Sequence, residues 1–145
     1  MEKGPLGVFV AQRRKSLGYS QSDLALSIHY TNQSISSFEK GGTSPSISVL
    51  PSLADFLHLS LDDLIEQNEA PSSFEGSNPA FNDNQIQKNL IALRRSKGYS
   101  QSEEGRLLGV SRRTIIHYES GTSIPSLDVL YDLLATYQIK CSVFF

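Results

Sequence analysis

Cysteine is almost absent from this sequence, and long apolar runs are missing. Cys141 is the single cysteine among 145 residues, so an intramolecular disulfide is excluded and a reducing compartment is expected. No group of Cys and His has the spacing of a zinc site, and no apolar stretch approaches membrane-spanning length. The apolar residues 6–11 run straight into Gln12-Arg13-Arg14-Lys15 without a cleavage-site pattern, so we expect no signal peptide and a cytoplasmic location.

An excess of charge is also missing. The net charge of −2 argues against a general binder of polyanions. It is unevenly distributed, because residues 1–70 carry −3 and residues 71–145 carry +1. If both halves contact a polyanion, the second should contribute more of the affinity. No nucleophile–base constellation or glycine-rich phosphate loop appears, so we expect neither an enzyme nor a cofactor or metal site.

What the chain does contain is a repeat. Residues 18–22, Gly-Tyr-Ser-Gln-Ser, return as residues 98–102, an offset of 80 positions. The same offset continues without a gap through these pairs: Ile35 and Ile115, Glu39 and Glu119, Gly41 and Gly121, Pro45-Ser46 and Pro125-Ser126, Val49-Leu50 and Val129-Leu130, Leu53 and Leu133. The repeat predicts two copies of one small domain, at residues 1–67 and 85–145.

Between the copies, residues 68–84 are expected to form a linker. Pro71, Gly76 and Pro79 would break a helix, and the remaining residues are mostly polar. Phe74 and Phe81 are candidates to pin this segment to a domain surface. Fully extended, about 15 residues reach roughly 50 Å, which exceeds one DNA turn of about 34 Å.

Each copy is predicted to contain five short helices. Residues 100–103, Ser-Gln-Ser-Glu, match a capping box fully, and residues 20–23, Ser-Gln-Ser-Asp, come close to one. These patterns predict helices that begin at Gln101 and Gln21. The next helix is expected to have Thr31 or Ser111 as its N-cap and to end near Lys40 or Ser120, with Gly41 or Gly121 as a left-handed residue beyond it. Pro45 and Pro125 are expected to be the first residues of a fourth helix. In the first copy, Ser60 is expected to cap a short fifth helix.

A capped helix, a short turn and a second capped helix form the layout of a helix-turn-helix in both copies. The residues that carry a closer resemblance are Arg14, 18–21, 24–25, 31–35, 38–41 and 45–46 in the first copy, and Arg94, 98–101, 108–115, 118–121 and 125–126 in the second. Through them the chain resembles the Cro/C1-type (XRE) helix-turn-helix family of bacterial and phage repressors. The resemblance covers about residues 6–66 and 85–145. It implies an all-α fold of two tandem five-helix, lambda-repressor-like DNA-binding domains.

The second helix of each motif, residues 32–40 and 112–120, has an outward face suited to base edges in the major groove. Asparagine and glutamine match adenine, arginine matches guanine, and an exposed isoleucine can meet a thymine methyl, so the two helices should read different half-sites of double-stranded DNA. The predicted DNA-binding residues are Asn32, Gln33, Ser36 and Ser37 in the first copy, Arg112, Arg113, Ile116 and His117 in the second, and Thr31, Ser34, Ser111 and Thr114 beside them. The alternative for the first face is simple solvation.

Further residues are candidates for phosphate contacts or for structure. In the family that the chain resembles, the glutamine matched by Gln21 and Gln101 hydrogen-bonds a phosphate, although a capping role alone is an alternative. Lys40, Thr43, Thr122 and Ser123 lie in the loop after the recognition helix and could donate to phosphates or be merely solvated. The pairs Arg14–Glu39 and Arg94–Glu119 share a spacing of 25 residues, and the resemblance implies that each is a structural salt bridge between the first and third helices.

The second copy departs from the family pattern where helix 2 should pack beneath the recognition helix. Leu24-Ala25 of the first copy becomes Glu104-Gly105. An inward glutamate is costly unless it tilts out or finds a partner, and Gly105 weakens the helix by about 1 kcal/mol. Lys140 also replaces the Ser60 cap, so the last helix should be short or missing. These changes leave open whether both copies bind DNA.

Three functional readings follow. The leading one is a sequence-specific DNA-binding regulator, a repressor by preference, located in the cytoplasm at the nucleoid. The second is an antitoxin or adaptor in which one copy binds a protein partner. The third makes one copy a dimerisation device, so that a homodimer presents the other copy to DNA.

Overall fold

The structure is a computed structural model that describes residues 5–71, 74 and 76–145. The chain divides into two compact units, Met1–Ala80 and Phe81–Phe145. Within the described ranges, all regular structure is helical, which confirms the predicted all-α class and the tandem of helix-turn-helix domains. No helix in these ranges is both long and apolar enough to cross a membrane.

The helices of the described part of the first unit are α1 Leu6–Ser16, α2 Gln21–Ile28, α3 Asn32–Glu39, α4 Leu50–Phe56 and α5 Leu61–Glu66. A single 3₁₀ turn, Ile47–Val49, precedes α4. Pro51 accounts for this interruption, because proline lacks an N–H and its ring would clash with the carbonyl of Ile47 in a regular helix.

The second unit contains α6 Asp83–Ser96, α7 Gln101–Leu108, α8 Arg112–Ser120, α9 Leu127–Tyr137 and α10 Cys141–Phe144. Tyr131 stands at the position of Pro51, and α9 is accordingly one continuous helix. The final helix has four residues, and its N-cap Lys140 makes no side-chain cap hydrogen bond. The prediction of a short last helix is therefore confirmed.

Side-chain caps define where most of these helices begin. Ser20 and Ser100 each accept a hydrogen bond from the backbone N–H three residues on, and the acidic side chains of Asp23 and Glu103 return a bond to the cap residue. Both predicted capping boxes are present. The expected role of Pro45 and Pro125 as first helical residues is wrong, because Ser46 and Ser126 are the N-caps of the elements that follow. The prolines lie one residue earlier, outside the helix.

The core of the first unit fixes α3 against α1 and α2. Val10, Leu24 and Ile35 come from these three helices, and each is completely buried. Gly7 allows α1 to approach α3 closely, since a Cβ at this position would overlap the carbonyl oxygen of Phe38. The outward face of α3 therefore has a fixed direction relative to the unit.

In the second unit, the inward glutamate has a hydrogen-bond partner. Glu104 is buried at 2% exposure, and the hydroxyl of Tyr137 donates a 2.7 Å hydrogen bond to its Oε1 atom. Burial raises the pKa of the Glu104 carboxyl, although the bond from Tyr137 offsets part of the rise. Packing favours glycine at the neighbouring position 105, because a Cβ on Gly105 would approach the carbonyl oxygen of Val110 to 2.7 Å.

The expected linker, residues 68–84, is partly occupied by contacts within each unit. Asn78 is hydrogen-bonded to the first unit, to Asp55 and to the backbone of Leu59 and Leu61. Phe81 packs edge-on against Phe145 in the second unit, with ring centroids 6.2 Å apart. Residues 72, 73 and 75 lie outside the described residues.

Candidate nucleic-acid interface

The two helix-turn-helix motifs share one geometry. Each turn begins with a left-handed residue, His29 with φ of 60° and Gly109 with φ of 70°. The burial pattern across α2 and its turn is repeated residue by residue across α7 and its turn. Thr31 and Ser111 then cap α3 and α8 by accepting hydrogen bonds from the backbone N–H groups of Ser34 and Thr114. The four hydroxyls of these residues also pair, Thr31 with Ser34 and Ser111 with Thr114, at 2.9 Å.

The outward face of α3 is polar and lacks a cationic side chain until its C-cap. Asn32 and Gln33 are exposed, whereas Ser36 and Ser37 are half-buried. The amide Nδ2 of Asn32 donates a 2.9 Å hydrogen bond to the hydroxyl of Ser22 on α2. Asn32 therefore ties the two helices of the motif together through one of the two N–H donors of its amide.

The outward face of α8 has a different chemistry. Arg112 and Arg113 are exposed near the N-terminus of the helix, and Ile116 and His117 are half-buried one turn later. Ile115 between them is buried at 2% exposure and holds the helix to the core. The structure thus presents two guanidinium groups and one apolar side chain at the positions where α3 presents amides and hydroxyls.

A buried ion pair supports α3 from behind. The Nε and Nη2 atoms of Arg14 lie 2.8 Å from the two carboxylate oxygens of Glu39. Gln21 also donates to Glu39 at 3.0 Å, and Arg14 donates to the carbonyl of Tyr19. Burial disfavours the charged Glu39 carboxylate, but the hydrogen bonds from Arg14 and Gln21 outweigh it and lower its pKa.

The second unit repeats this arrangement. Arg94 contacts Glu119 at 2.7 and 3.0 Å, and Gln101 donates to Glu119 at a longer 3.3 Å. The side chains of this pair are 14% and 8% exposed, against 7% and 5% for Arg14 and Glu39. The glutamines expected to contact phosphate therefore lie at helix N-termini with their amides directed by a buried glutamate.

The loop after each recognition helix is exposed. Lys40 and Thr43 in the first unit and Thr122 and Ser123 in the second are all on the surface. The hydroxyl of Thr122 pairs with that of Ser120 at 2.9 Å, and the backbone N–H of Ser123 donates to the carbonyl of His117. These loops lie beside the outward faces of α3 and α8, as a phosphate contact requires.

The structural role of Tyr137 and the contact from Gln21 to Glu39 escaped the sequence analysis. Tyr137, the partner of Glu104, occupies the repeat position of Leu57, so Leu24 and Leu57 change together into Glu104 and Tyr137. That joint change is a signal the repeat contains. The contact from Gln21 to Glu39 is also marked by a signal in the sequence, because a glutamine and a glutamate 18 residues apart recur in the second copy as Gln101 and Glu119.

A capped helix, a left-handed turn and a second capped helix with an exposed N-terminal face, present in both units, define the helix-turn-helix class of protein. The sequence profile of the helix-turn-helix family matches residues 10–64 and 90–144. The chain belongs to this family, and both matched segments coincide with the two copies recognised from the repeat.

Two curated proteins illustrate the relationship. The chain is 48% identical over 44 residues to a protein of Thermococcus kodakarensis whose name describes an HTH-type transcriptional regulatory protein, a match to 30% of this chain and 14% of that protein. It is 36% identical over 55 residues to Repressor protein C of Escherichia phage P2, covering 38% of this chain and 56% of the repressor. The matches span less than two thirds of either relative. No solved structure matches the chain significantly.

Proposed function

We propose that this protein is a sequence-specific DNA-binding transcriptional regulator that acts as a repressor and reads the major groove with α3 and α8. The observation that supports the proposal best is the pair of outward faces, held in equivalent positions and carrying side chains suited to different bases. The relatives named as a transcriptional regulator and a repressor agree with this role. Its place of action would be the cytoplasm, at the nucleoid.

The geometry suggests how such binding would work. The N-terminal residues of α3 and α8 would enter the groove, while Gln21, Gln101 and the loops after the recognition helices would donate to phosphates on either side. The N–H groups at the N-termini of α2 and α7 favour an anion at the same place. The second unit, with its two exposed arginines, would supply the larger electrostatic share of the affinity.

Selection of bound duplexes from a random pool tests the proposal directly. We expect an enriched motif with two unlike halves, and an affinity that falls steeply as salt rises, by roughly tenfold or more between 50 and 200 mM for several phosphate contacts. Failure to enrich any motif, together with an affinity insensitive to salt, would contradict DNA reading.

A second candidate is an adaptor or antitoxin in which the first unit binds a protein. The observations that favour it are the charge of −3 on residues 1–70 and the exposed Leu26, 79% accessible on α2, where the second unit has Arg106. On this alternative, the selected DNA motif would have one half only, and variants at Asn32 and Gln33 would leave it unchanged.

A further inference from the structure

Asn78 lies in the segment that the sequence describes as a linker, yet it forms four hydrogen bonds within the first unit. Its backbone N–H and its Nδ2 atom both donate to Asp55 Oδ1 at 2.8 Å. Nδ2 also donates to the carbonyl of Leu59 at 2.9 Å, and its Oδ1 accepts the N–H of Leu61 at 2.9 Å. We call this set of contacts the Asn78 clip.

The clip satisfies groups that would otherwise need other partners. Leu61 is the first residue of α5, so its N–H has no acceptor inside the helix, and Asn78 supplies one. Asp55 accepts twice from one residue through a single carboxylate oxygen, an arrangement that uses both the backbone and the side chain of Asn78. Each bond to a charged carboxylate is stronger than a neutral one.

The repeat shows that the fold does not require a carboxylate at the position of Asp55. Its counterpart in the second unit is Ala135, at the equivalent point of α9. The fold thus accommodates alanine there, and the carboxylate is present in the unit that contains the Asn78 clip. This comparison also supplies a substitution that the fold should tolerate.

The clip shortens the covalent connection between the units. Asn78 is attached to the first unit, and Phe81 packs on Phe145 within the second, immediately before the N-cap Asn82 of α6. Only Pro79 and Ala80 stand between them. Three Cα–Cα steps of about 3.8 Å bound the distance from Asn78 to Phe81 at about 11 Å, whatever the orientation of the units. Without the clip, about 15 residues would be available and the bound would be roughly 50 Å.

We propose that Asn78 is a spacing-determining residue, which restricts this protein to DNA sites whose two half-sites are separated by one fixed distance. The inference rests on the proposed function, in which each unit reads one half-site. A short connection gives a high effective concentration of the second unit at one separation and little at others, whereas a long flexible one tolerates many separations. Proline at the first connecting position limits the freedom of the connection further.

The experiment uses the full chain and duplexes that carry the two selected half-sites with the spacing varied one base pair at a time. For the wild type we expect binding at the best spacing to be at least tenfold tighter than at spacings two or more base pairs away. Asn78→Ala, Asp55→Ala and an insertion of Gly-Ser-Gly-Ser between Pro79 and Ala80 should each reduce this discrimination below threefold. Ser77→Ala, an exposed neighbour, is the matched control and should keep the wild-type profile.

Hydrogen exchange of the Asn78 amide, measured without DNA, separates the possible failures. We expect protection in the wild type and loss of protection in Asp55→Ala. An unprotected amide in the wild type overturns the clip and the spacing role, while DNA reading by the units still stands. A protected amide in the wild type together with an unchanged spacing profile in Asp55→Ala overturns the spacing role alone. If no duplex of any spacing binds, the proposed function itself fails.

Discussion

At the scale of single residues, the two copies fill equivalent buried positions with side chains of different chemistry. Leu24 and its repeat counterpart Glu104 are both buried, the first completely and the second at 2% exposure. Leu57 is completely buried at the position where Tyr137 meets Glu104. A hydrogen-bonded pair in the second unit thus occupies the positions of two buried leucines in the first, so the contribution of each member to stability depends on the other.

A double-mutant cycle tests this dependence. Glu104→Leu leaves the Tyr137 hydroxyl buried without its acceptor and should lower the free energy of unfolding by about 1–3 kcal/mol. Tyr137→Leu leaves the glutamate without its donor and should cost at least as much. The double variant restores the leucine pair of the first unit and should be less destabilised than the sum, with a coupling of about 1–3 kcal/mol in urea unfolding. Strict additivity would contradict the pairing.

The two buried glutamates also predict opposite responses to pH. Glu39 has a folded pKa below the ordinary 4.5, so the stability it contributes is present above that value and is lost as pH falls through the folded pKa. The folded pKa of Glu104 lies above 4.5, so its contribution is present below that value and is lost as pH rises through the folded pKa.

Unfolding followed by NMR signals from each unit separately should show both trends. Glu39→Gln should flatten the acid loss of stability in the first unit, and Glu104→Gln should flatten the loss on raising pH in the second. The same sign of response at both sites would contradict the opposite pKa shifts of these two carboxyls.

At the scale of elements, α3 and α8 have equal positions and unequal faces. Two arginines lie near the start of α8, and Arg113 is its second residue. We expect Arg113→Ala to weaken binding to the selected site by about 1–3 kcal/mol and to relax the preference at one base pair. Arg113→Lys keeps the charge and removes the planar fork, so it should lose specificity with less loss of affinity. Uniform weakening on all sequences would instead make Arg113 a phosphate contact.

The corresponding prediction for α3 concerns an A·T-rich half-site. Asn32 and Gln33 are exposed amides, and the bond from Asn32 to Ser22 suggests that Gln33 is the more available of the two. Replacing both with alanine should erase the preference in that half of the selected motif. Gln12→Ala removes an exposed amide from α1 and should leave the motif intact. An unchanged motif in the double variant would show that α3 does not recognise bases.

The elements were largely predictable from the sequence, because caps and apolar spacing are local signals. Ser20 and Ser100 each mark a helix start through a pattern only four residues long, and the repeat places the same pattern at the same position in both copies. The start of the fourth helix was misplaced, since a proline before a serine cap and a proline at the first helical position look alike in sequence. Asn78 could not be paired with Asp55, because the second copy has Ala135 at the position of Asp55 and does not repeat the contact. Tyr137 was missed although the joint change of Leu24 and Leu57 across the repeat marks its contact with Glu104.

At the scale of the whole molecule, two unlike units in one chain remove the need for a homodimer. One chain already contains two candidate recognition helices, α3 and α8, and fusion would raise the effective concentration of the second unit once the first is bound. We therefore predict one chain per specific site on a non-palindromic duplex, measured as the mass of the complex. Two chains on a palindrome would contradict this arrangement and assign one unit to dimerisation or to a protein partner.

The Glu104–Tyr137 pair also has a consequence for the gene. Two similar copies in one reading frame can recombine, and an exchange between the second and fourth helices would produce hybrid units. One hybrid would combine Glu104 with a leucine at the position of Tyr137, and the other would combine Leu24 with a tyrosine hydroxyl that lacks its acceptor. We expect both hybrids to fold less stably than either parent, so the core disfavours any single exchange between these two helices.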